Sequence, residues 1–397
     1  MFWKGLTKQF PRAVAALTLA LLVGVVIVPI SRHIEVINSL EDWTADWRTA
    51  LFSPTTAKPS VSVVLIDEET LQHFSAETRS PTDRALIADL IEAICAMGPE
   101  TLALDFFFDA KTSKDDRLLD AIKKASSCRI VLGAAASPTR QTAKQAASQA
   151  DFLKKADRPY GYLNIATDFD GVVRMQGEAD ESAGVRLSFA EATASAPGRN
   201  VTHERRRISW LRAKAGAEPF PAIPAHFLLS EQNESANARK AKIAPWIKDR
   251  TVLLGVDLND VDHHRTPLSK VSGEPMLGTL VQAHLTAQIL DGRAQHELPV
   301  FAQGVLAALL AFAAAFLGFA GEPGGISLPL PSISSLPLWR ISLPAVLYLA
   351  ADIIAFTQFA LVLPFGICAI AWGLGLTLGC GYRRGWLHFP NSTWRTM

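Results

Sequence analysis

Acidic side chains follow three strand-like runs in this sequence, at the points where those runs end. Asp67, Asp105 and Asp257 each stand at or near the end of an apolar run. Ligands of open α/β sheets bind in the crevice outside the carboxyl ends of the strands, so these carboxylates are candidates for a binding edge. Two or three carboxylates in one crevice have the chemistry to bind a divalent cation or an amine-bearing ligand.

Three further residues extend this candidate site. Glu68 and Asp262 add carboxylates, and Arg84 adds a cation. The candidate ligand-binding set is Asp67, Glu68, Arg84, Asp105, Asp257 and Asp262. A structural role is the alternative, in which Arg84 pairs with Asp105 and fixes a helix to the sheet. A hydrolase or metal enzyme using the acidic strand ends is a further hypothesis, under which replacing Asp67 and Asp105 with Asn abolishes activity but not folding.

Other motifs give weaker chemical signals. The run Asp262-His263-His264-Arg265 holds two histidines, but adjacent side chains on a strand point in opposite directions and rarely bind one ion. The run Asp168-x-Asp170-Gly171 has the start of a calcium loop without the later ligands of an EF-hand, so a hairpin turn fits it better. No phosphate loop, G-x-S-x-G elbow or H-E-x-x-H motif occurs. We therefore expect no catalytic residue, no metal and no cofactor.

Charge and cysteine content narrow the class of protein. The formal net charge is +1, and the basic run 205–207 fits a solvated strand edge, so we expect no nucleic-acid partner. The cysteine content excludes two further kinds of site. The four cysteines form no C-x-x-C pair, which argues against zinc and thioredoxin-like chemistry. A disulfide between Cys95 and Cys128 is compatible with an oxidising compartment, and the sequence leaves it open. Cys368 and Cys380 lie in an apolar segment and fit small buried hydrophobic residues.

Strand-like and helix-like runs alternate through the middle of the chain. Apolar, β-branched runs predict strands over 60–66, 101–108, 129–134 and 251–256. Apolar residues at helical spacing predict helices over 84–97, before Gly98-Pro99, and over 115–125. Strands that alternate with helices and are apolar on both faces indicate an α/β fold with a mainly parallel sheet covered by helices.

Apolar segments near both ends predict four transmembrane helices, one N-terminal and three C-terminal. The first, 13–30, carries no charge and follows Lys4, Lys8 and Arg12, which places the N-terminus in the cytoplasm. A cleaved signal peptide is the alternative, but the run is long and offers no A-x-A-like cleavage site. The second, 300–320, is about 31 Å long at a rise of about 1.5 Å per residue, enough to cross the hydrocarbon core.

The remaining apolar segment is too long for one crossing. A reversal at Pro364 divides it into spans 343–363 and 364–382. Four crossings return the chain to the cytoplasm, where Arg340, Arg383 and Arg384 satisfy the positive-inside rule. The predicted division is a cytoplasmic N-terminus, an extracytoplasmic domain, a cytoplasmic Pro/Ser/Gly-rich loop and a cytoplasmic tail, over 1–12, 31–299, 321–342 and 383–397.

Two features of the predicted spans leave alternatives open. A carboxylate at mid-span costs about 2.5–3.5 kcal/mol on insertion scales, so Asp352 should face other helices. It serves either as a proton or signal relay or, as we favour, as a hydrogen-bonded helix contact through Thr357 or Tyr348. The small residues at 373, 375, 379 and 381 give the last span a face for close packing, within one chain or between two.

Four segments, 66–68, 103–108, 164–174 and 254–255, carry motifs in an order typical of one family. Through them the central segment resembles the CHASE2 domain, an extracytoplasmic sensor module of bacterial signalling proteins. Its best marker resembles the segment from Asn164 to Arg174, and the structural motif that this implies is Asp168, Asp170, Gly171, Arg174 and Pro267. Further similar positions are Asp46, Arg48, 66–68, Pro81, Arg84, 103–108, 254–255, Asp262, Thr266, Gly278, Ala283 and Pro364. Departures are Ser80 and Thr82, where tryptophans are usual, and Gln282, where the family often has His.

The resemblance implies a non-enzymatic, multi-pass sensor of the bacterial inner membrane, with its large domain in the periplasm. Such proteins usually continue into a cyclase, kinase or other output domain, whereas only a short tail follows Arg383 here. We therefore expect an unknown extracytoplasmic ligand and signalling in trans to a membrane or cytoplasmic partner. A homodimer is compatible with this expectation. The alternative function is a non-sensing membrane scaffold that uses the periplasmic domain to hold a partner protein.

Overall fold

The computed structural model describes most of the chain between positions 33 and 383. The described residues are 18, 26, 29–31, 33–74, 80–136, 141–178, 184–196, 199, 201, 203–213, 219–229, 234–259, 262–319 and 339–383. They belong to two compact units. Thr49–Gln295 form one, and the segments before Thr49 and after Gln295 form the other.

The unit Thr49–Gln295 is built on a six-stranded, fully parallel sheet. Its strands are β1 (Val61–Asp67), β2 (Thr101–Leu104), β3 (Arg129–Ala134), β4 (Tyr160–Tyr162), β5 (Ala222–Pro224) and β6 (Thr251–Asp257). They lie in the order β4-β3-β2-β6-β1-β5. Strand β6, the last of this sheet in sequence, thus lies between β1 and β2. Its register with β1 runs from the pair Val61–Thr251 to the pair Asp67–Asp257. A separate hairpin pairs β7 (His263–His264) with β8 (Met276–Leu277).

Helices cover both faces of this sheet, as the apolar strands predicted. The helices are α1 (Glu35–Phe52), which spans the boundary of the two units, α2 (Glu68–His73), α3 (Arg84–Cys95), α4 (Asp115–Lys124), α5 (Ala143–Ala156), α6 (Phe189–Ala194), α7 (His226–Leu229), α8 (Glu234–Ile247), α9 (Ser269–Ser272) and α10 (Gly278–Leu290). Val64 and Ile66 of β1 pack in one core with α3, α4, α5, α7 and α8. Val63 and Leu65 pack on the other face with α6 and α10. The α/β fold with a mainly parallel sheet is confirmed.

Strand β2 is shorter than predicted, and its end sets the position of a candidate site residue. The apolar run continues to Phe108, but the strand ends at Leu104. Phe106 and Phe108 turn instead into the core beneath α3 and α5, where the Phe108 ring stacks on Phe152 with centroids 4.5 Å apart. Hydrophobicity alone does not distinguish a strand from a segment that leaves the sheet and stays buried.

Cys95 and Cys128 form a disulfide, which settles the alternative that the sequence left open. Cys95 ends α3, and Cys128 precedes β3. Their Cα atoms lie 5.6 Å apart, within the range that a disulfide spans. The bond therefore links the C-terminal end of α3 to the start of β3.

Among its described residues, the second unit contains three long apolar helices. They are α11 (Val300–Phe319), α12 (Trp339–Phe359) and α13 (Phe365–Arg383). The strands β9 (His296–Glu297) and β10 (Leu361–Val362) pair in parallel beside them. Pro364 lies in the reversal between α12 and α13, as predicted.

The small residues of α13 face α11 of the same chain. A Cβ added to Gly375 would overlap the carbonyl oxygen of Ala311, and one added to Gly379 would overlap that of Ala315. The two backbones therefore approach closely because neither position has a side chain. Of the two alternatives, packing within one chain is the one observed.

One helical segment among the described residues, Val300–Gly318, is long and apolar enough to cross a membrane. The apolar parts of α12 and α13, Leu343–Phe359 and Phe365–Gly381, are shorter. Most of the predicted first span, 13–30, lies outside the described residues, as do 320–338 and 384–397. Four transmembrane helices and the domain boundaries therefore stay predictions.

Candidate ligand-binding edge

The three strand-end aspartates lie at the carboxyl edge of the parallel sheet. Asp67 and Asp257 end the neighbouring strands β1 and β6 and are register partners. Asp105 directly follows β2, and its N–H donates to the carbonyl of Leu254 in β6 at 2.8 Å. Parallel strands bring these positions to one edge because all their carboxyl ends point the same way.

The structure brings Asp105 and Asp262 together. The negative charge of Asp262 raises the pKa of Asp105, and the side chain of Thr279 at the start of α10 lowers it. His264 of β7 also faces this pair. We refer to Asp105, Asp262, His264 and Thr279 as the edge cluster. His264 and Thr279 were not in the predicted site, although His264 stands in the Asp-His-His-Arg run of the sequence.

Asp262 is held firmly in the edge cluster. Its backbone is left-handed, with φ of 58°, and its carbonyl accepts a 2.7 Å hydrogen bond from the N–H of Gly278. Its carboxylate lies 2.8 Å from Nε2 of His264. A Cβ on Gly278 would overlap this carboxylate, so the carboxylate lies directly against the backbone of Gly278. These contacts fix a carboxylate at the start of α10.

The surroundings of Asp105 favour its neutral form. The pKa of Asp105 is raised to about 7, first by burial and second by the negative charge of Asp262. The hydrogen bond from Thr279 and the proximity of His264 act in the opposite direction. A carboxylic acid that titrates near neutral pH can exchange a proton with solvent under physiological conditions.

The other predicted carboxylates do not converge on the edge cluster. Asp67 caps α2, accepting hydrogen bonds from the N–H and hydroxyl of Thr70 at 2.8 and 2.6 Å. His226 lies beside it, with Nδ1 3.6 Å from the Asp67 carboxylate. Glu68 is half-buried in the first turn of α2, and Asp257 is exposed. Asp67 thus has a structural role that its position after a strand did not reveal.

Arg84 has a structural role, as the alternative proposed, but its partner is Asp115 and not Asp105. Its Nε lies 3.6 Å from Asp115, and it donates to the carbonyl of Phe107 at 3.3 Å. The guanidinium lies over the Phe108 ring, 4.8 Å from its centroid. Burial lowers the pKa of Arg84. This side chain joins α3 to α4 and to the segment after β2.

The predicted motif around Arg174 forms a closed ion-pair network. The buried Arg174 guanidinium donates to Asp168 at 2.9 Å and to both carboxylate oxygens of Asp170 at 2.9 and 2.7 Å. Gly171, with φ of 78°, makes the tight turn between them. The turn is also fixed to the segment before Pro267, since the N–H of Val173 donates to the carbonyl of Arg265. The motif therefore forms a tight turn and fixes it to Arg265, which directly follows His264 of the edge cluster.

A second buried network was missed from the sequence. Glu191 is fully buried and accepts hydrogen bonds from Arg206, from the N–H of Glu204 and from the N–H of Ser188, and it lies 3.0 Å from Nδ1 of His203. Burial raises the pKa of Glu191, but these hydrogen bonds outweigh it, so the pKa lies below its usual range. The Ser188-x-x-Glu191 capping box at the start of α6 was the available signal.

Helix α10 carries several buried polar residues, among them Gln282 and His284. Gln282, which stands where the resembling family often has His, donates to the carbonyl of Leu163 at 3.2 Å. His284 lies between the rings of Trp210 and Phe220 and accepts from the N–H of Leu211. Burial lowers its pKa to about 3, so this imidazole is neutral at physiological pH. Both residues position α10.

In the other unit, Asp352 of α12 forms an ion pair with Arg48 of α1. Both side chains are buried, and the guanidinium also faces the ring of Phe356. The predicted partners bond elsewhere, Tyr348 to the carbonyl of Pro364 and Thr357 to that of Ile353. Asp352 therefore makes an interhelical contact, but with a charged residue far away in sequence.

Metal chemistry finds no support in the described part of the chain. No group of three or more His, Cys, Asp or Glu side chains there is arranged to hold a metal ion. The edge cluster has only two carboxylates and one imidazole. Its chemistry is that of proton exchange and hydrogen bonding with an incoming polar group.

A doubly wound parallel sheet with polar groups at its carboxyl edge defines the class of α/β domains that bind ligands outside the strand ends. A family model described as the CHASE2 domain matches residues 17–320, and the chain belongs to this family. CHASE2 is a sensory domain and is typically extracytoplasmic. No curated protein and no solved structure matched the chain in the two other comparisons.

Proposed function

We propose that this protein is a bacterial membrane sensor that responds to an extracytoplasmic stimulus and signals in trans to a separate protein. The observation that carries the proposal is the extent of the family match. Residues 17–320 include the whole α/β unit and also α11, the apolar helix that is long enough to cross a membrane. A sensory domain thus continues directly into a membrane-type helix, and its role is non-catalytic.

The proposed location is the inner membrane, with the domain in the periplasm and both termini in the cytoplasm. The positive residues before 13–30 and after α13 support this orientation. The Cys95–Cys128 disulfide supports an oxidising compartment for the α/β unit, because such bonds persist outside the cytosol.

The signal has a physical route through α1. One face of this helix carries Ile37, Glu41 and Arg48, at positions that helical periodicity brings to the same side. Ile37 packs with α11 and α13. Glu41 accepts a 2.9 Å hydrogen bond from the N–H of Ile367, in the first turn of α13. Arg48 binds Asp352 of α12. A displacement of α1 would therefore move all three C-terminal helices, which supports transmission through them.

The test combines topology mapping with isolation from native membranes. Single cysteines at Asp120 and in the 321–342 loop, in a background retaining Cys95–Cys128, are labelled with a membrane-impermeant maleimide on spheroplasts. We expect labelling at 120 and none in the loop. Cross-linking in the native membrane should then recover a kinase, cyclase or regulator with the full-length chain, and R48Q should weaken this recovery more than R205Q.

Two results would overturn the proposal. Labelling of the loop but not of position 120 would reverse the orientation. Recovery of periplasmic proteins only, unaffected by R48Q, would favour the scaffold function instead. Arg205 is a suitable control because it lies in an exposed ion pair with Glu178.

A further inference from the structure

A cleft of about 760 Å³ runs along α5 at the outer edge of the sheet. It extends from Ala135, which directly follows β3, to Tyr160, which begins the edge strand β4. Its size lies within the range of about 300–1,000 Å³ that is typical of ligand pockets. No residue of the edge cluster lines it, so within the described part of the chain the cleft is a separate candidate site.

One wall of the cleft is apolar. Ala146, Ala150 and Leu153 line it from α5, and spacings of four and three residues place them on one face of the helix. Val185 adds an apolar side chain from outside the helix. Gln149 also lines the cleft, but its amide is already bonded to the main chain directly after β3, accepting at 2.8 Å and donating at 3.0 Å. This wall therefore offers a ligand an aliphatic surface.

The end of the cleft near the last turn of α5 carries both signs of charge. Lys154 and Asp157 line it there, together with Arg158. Lys154 and Asp157 are exposed, and neither side chain makes a hydrogen bond or an ion pair with any described residue. Arg158 donates to the carbonyl of Ile122 at 2.9 Å, but its Nε is buried and has no hydrogen-bond partner among those residues. An ammonium and a carboxylate are therefore both available to a ligand at one end of the apolar wall.

The Asp157 carboxylate is carried on a fixed backbone. Asp157 is the C-cap of α5, where its N–H donates to the carbonyl of Leu153 at 3.2 Å. Its backbone is left-handed, with φ of 49°. Asparagine is as well suited to this conformation as aspartate is, so the charge can be removed without altering the turn.

We infer that this cleft binds a small zwitterion with an aliphatic side chain, namely an amino acid or a short peptide. The inference rests on the proposed sensor function and names the class of ligand to which the domain responds. The carboxylate of the ligand pairs with Lys154, its ammonium pairs with Asp157, and its side chain lies against Ala150 and Leu153. An anion alone would face the Asp157 carboxylate without compensation, and a cation alone would face Lys154 in the same way, so a ligand with both charges fits best.

The experiment measures binding to the full-length protein in nanodiscs by titration calorimetry, with empty nanodiscs as the blank. The probes L-leucine and L-leucyl-L-leucine distinguish a free amino acid from a peptide. Isocaproate and isoamylamine are analogues of leucine that lack its amine and its carboxylate, respectively. We expect saturable binding of at least one of the two zwitterions, and binding of both singly charged analogues that is weaker by about tenfold.

Two charge variants assign the ends of the ligand. K154Q should weaken binding of the zwitterion about fivefold and leave isoamylamine unaffected, because it removes only the partner of the carboxylate. D157N should weaken binding of the zwitterion to a similar extent and leave isocaproate no weaker than before. K144Q, at an exposed lysine of α5 that does not line the cleft, should bind like the wild type.

Two exposed alanines of α5 give a matched steric test. Ala150 lines the cleft and Ala147 does not. A150F should therefore abolish binding, whereas A147F should retain it, and neither change disturbs the core because both positions are exposed. Far-UV circular dichroism checks that both variants are folded.

Three results would each overturn the inference. They are the absence of saturable binding of either zwitterion, binding of isocaproate as tight as that of leucine, and an A150F variant that binds like the wild type. No signalling partner is needed for these measurements. Normal ligand binding combined with failure to recover a partner would therefore contradict the proposed function alone, and the reverse outcome would contradict this inference alone.

Discussion

The aspartates of the α/β unit act differently because their surroundings differ. Asp67 caps a helix through Thr70, Asp170 is bound to a buried arginine, and Asp105 is half-buried beside a second carboxylate. The pKa values follow these environments. A hydrogen bond from Arg174 lowers the pKa of Asp170, whereas burial raises that of Asp105. One residue type therefore supplies a cap, an anchor and a titrating group.

The Arg174 network should contribute strongly to the stability of the domain. Replacing Arg174 with Met keeps much of the buried aliphatic volume but leaves Asp168 and Asp170 without their shared cation. We expect a loss of about 2–4 kcal/mol in the free energy of unfolding at pH 7. Reversible chemical unfolding of the full-length protein in detergent measures this loss.

The matched control for Arg174 is Arg205→Met. Arg205 and its partner Glu178 have side chains 58% and 62% exposed, so this change should cost less than about 1 kcal/mol. Equal losses in the two variants would contradict an anchoring role for Arg174. The pH dependence supplies a second check. Because the folded pKa of Asp170 is depressed, the stabilisation is present above 3.8 and should disappear as the pH falls through the folded value.

At the scale of elements, the contact between α11 and α13 depends on the absence of side chains. Gly375 and Gly379 lie one helical turn apart and each meets the backbone of α11. This face is occupied by α11 of the same chain. Gly373 of the same helix has nothing within 4 Å of the position where a Cβ would lie.

These two glycines provide a matched test of the helix contact. Gly375→Ala should destabilise the second unit by about 1–3 kcal/mol, because the new methyl group forces the two backbones apart. Gly373→Ala should be neutral or slightly stabilising, since alanine favours helix more than glycine does. Thermal unfolding in one detergent compares the variants. Similar behaviour of both would show that α11 and α13 do not pack through this face.

At the scale of the whole molecule, the Cys95–Cys128 bond stabilises the fold and also indicates the compartment in which the α/β unit lies. A sensory domain exposed outside the cytoplasm can keep such a bond, whereas cytosolic reductants would open it. The bond closes a loop with a sequence separation of 33 residues. A loop of this length restricts the unfolded chain enough to stabilise the native state by about 3–4 kcal/mol.

Alkylation before and after reduction should reveal this bond in protein isolated from its membrane. We expect Cys95 and Cys128 to react only after reduction, and Cys95→Ser to lower the free energy of unfolding by the amount above. The double variant C95S/C128S serves as control, since a reductant should not change its stability further. Alkylation of both thiols in the unreduced native protein would contradict the assignment.

Local sequence patterns predicted four of the six strands of the parallel sheet, β1, β2, β3 and β6, and the helices α3 and α4. The β-branched run before Ala134 predicted β3 with its observed ends, and the helical spacing after Arg84 predicted α3 to within two residues at its end. Such patterns indicate which face of an element is buried, because buried residues recur at the helical or strand period in any protein. The exception, β2, arose because a buried segment need not remain in the sheet.

The sequence by itself determined the α/β class, the strand-end position of the carboxylates, the hairpin at Asp168–Gly171 and the membership of a sensory family. Only the tertiary structure decided which charges meet. Asp105 faces Asp262 and not Arg84, and Arg48 binds Asp352, 304 positions away. The physical reason is that a side chain's charge acts through space. Its partner therefore depends on strand order and helix packing, which no local periodicity encodes.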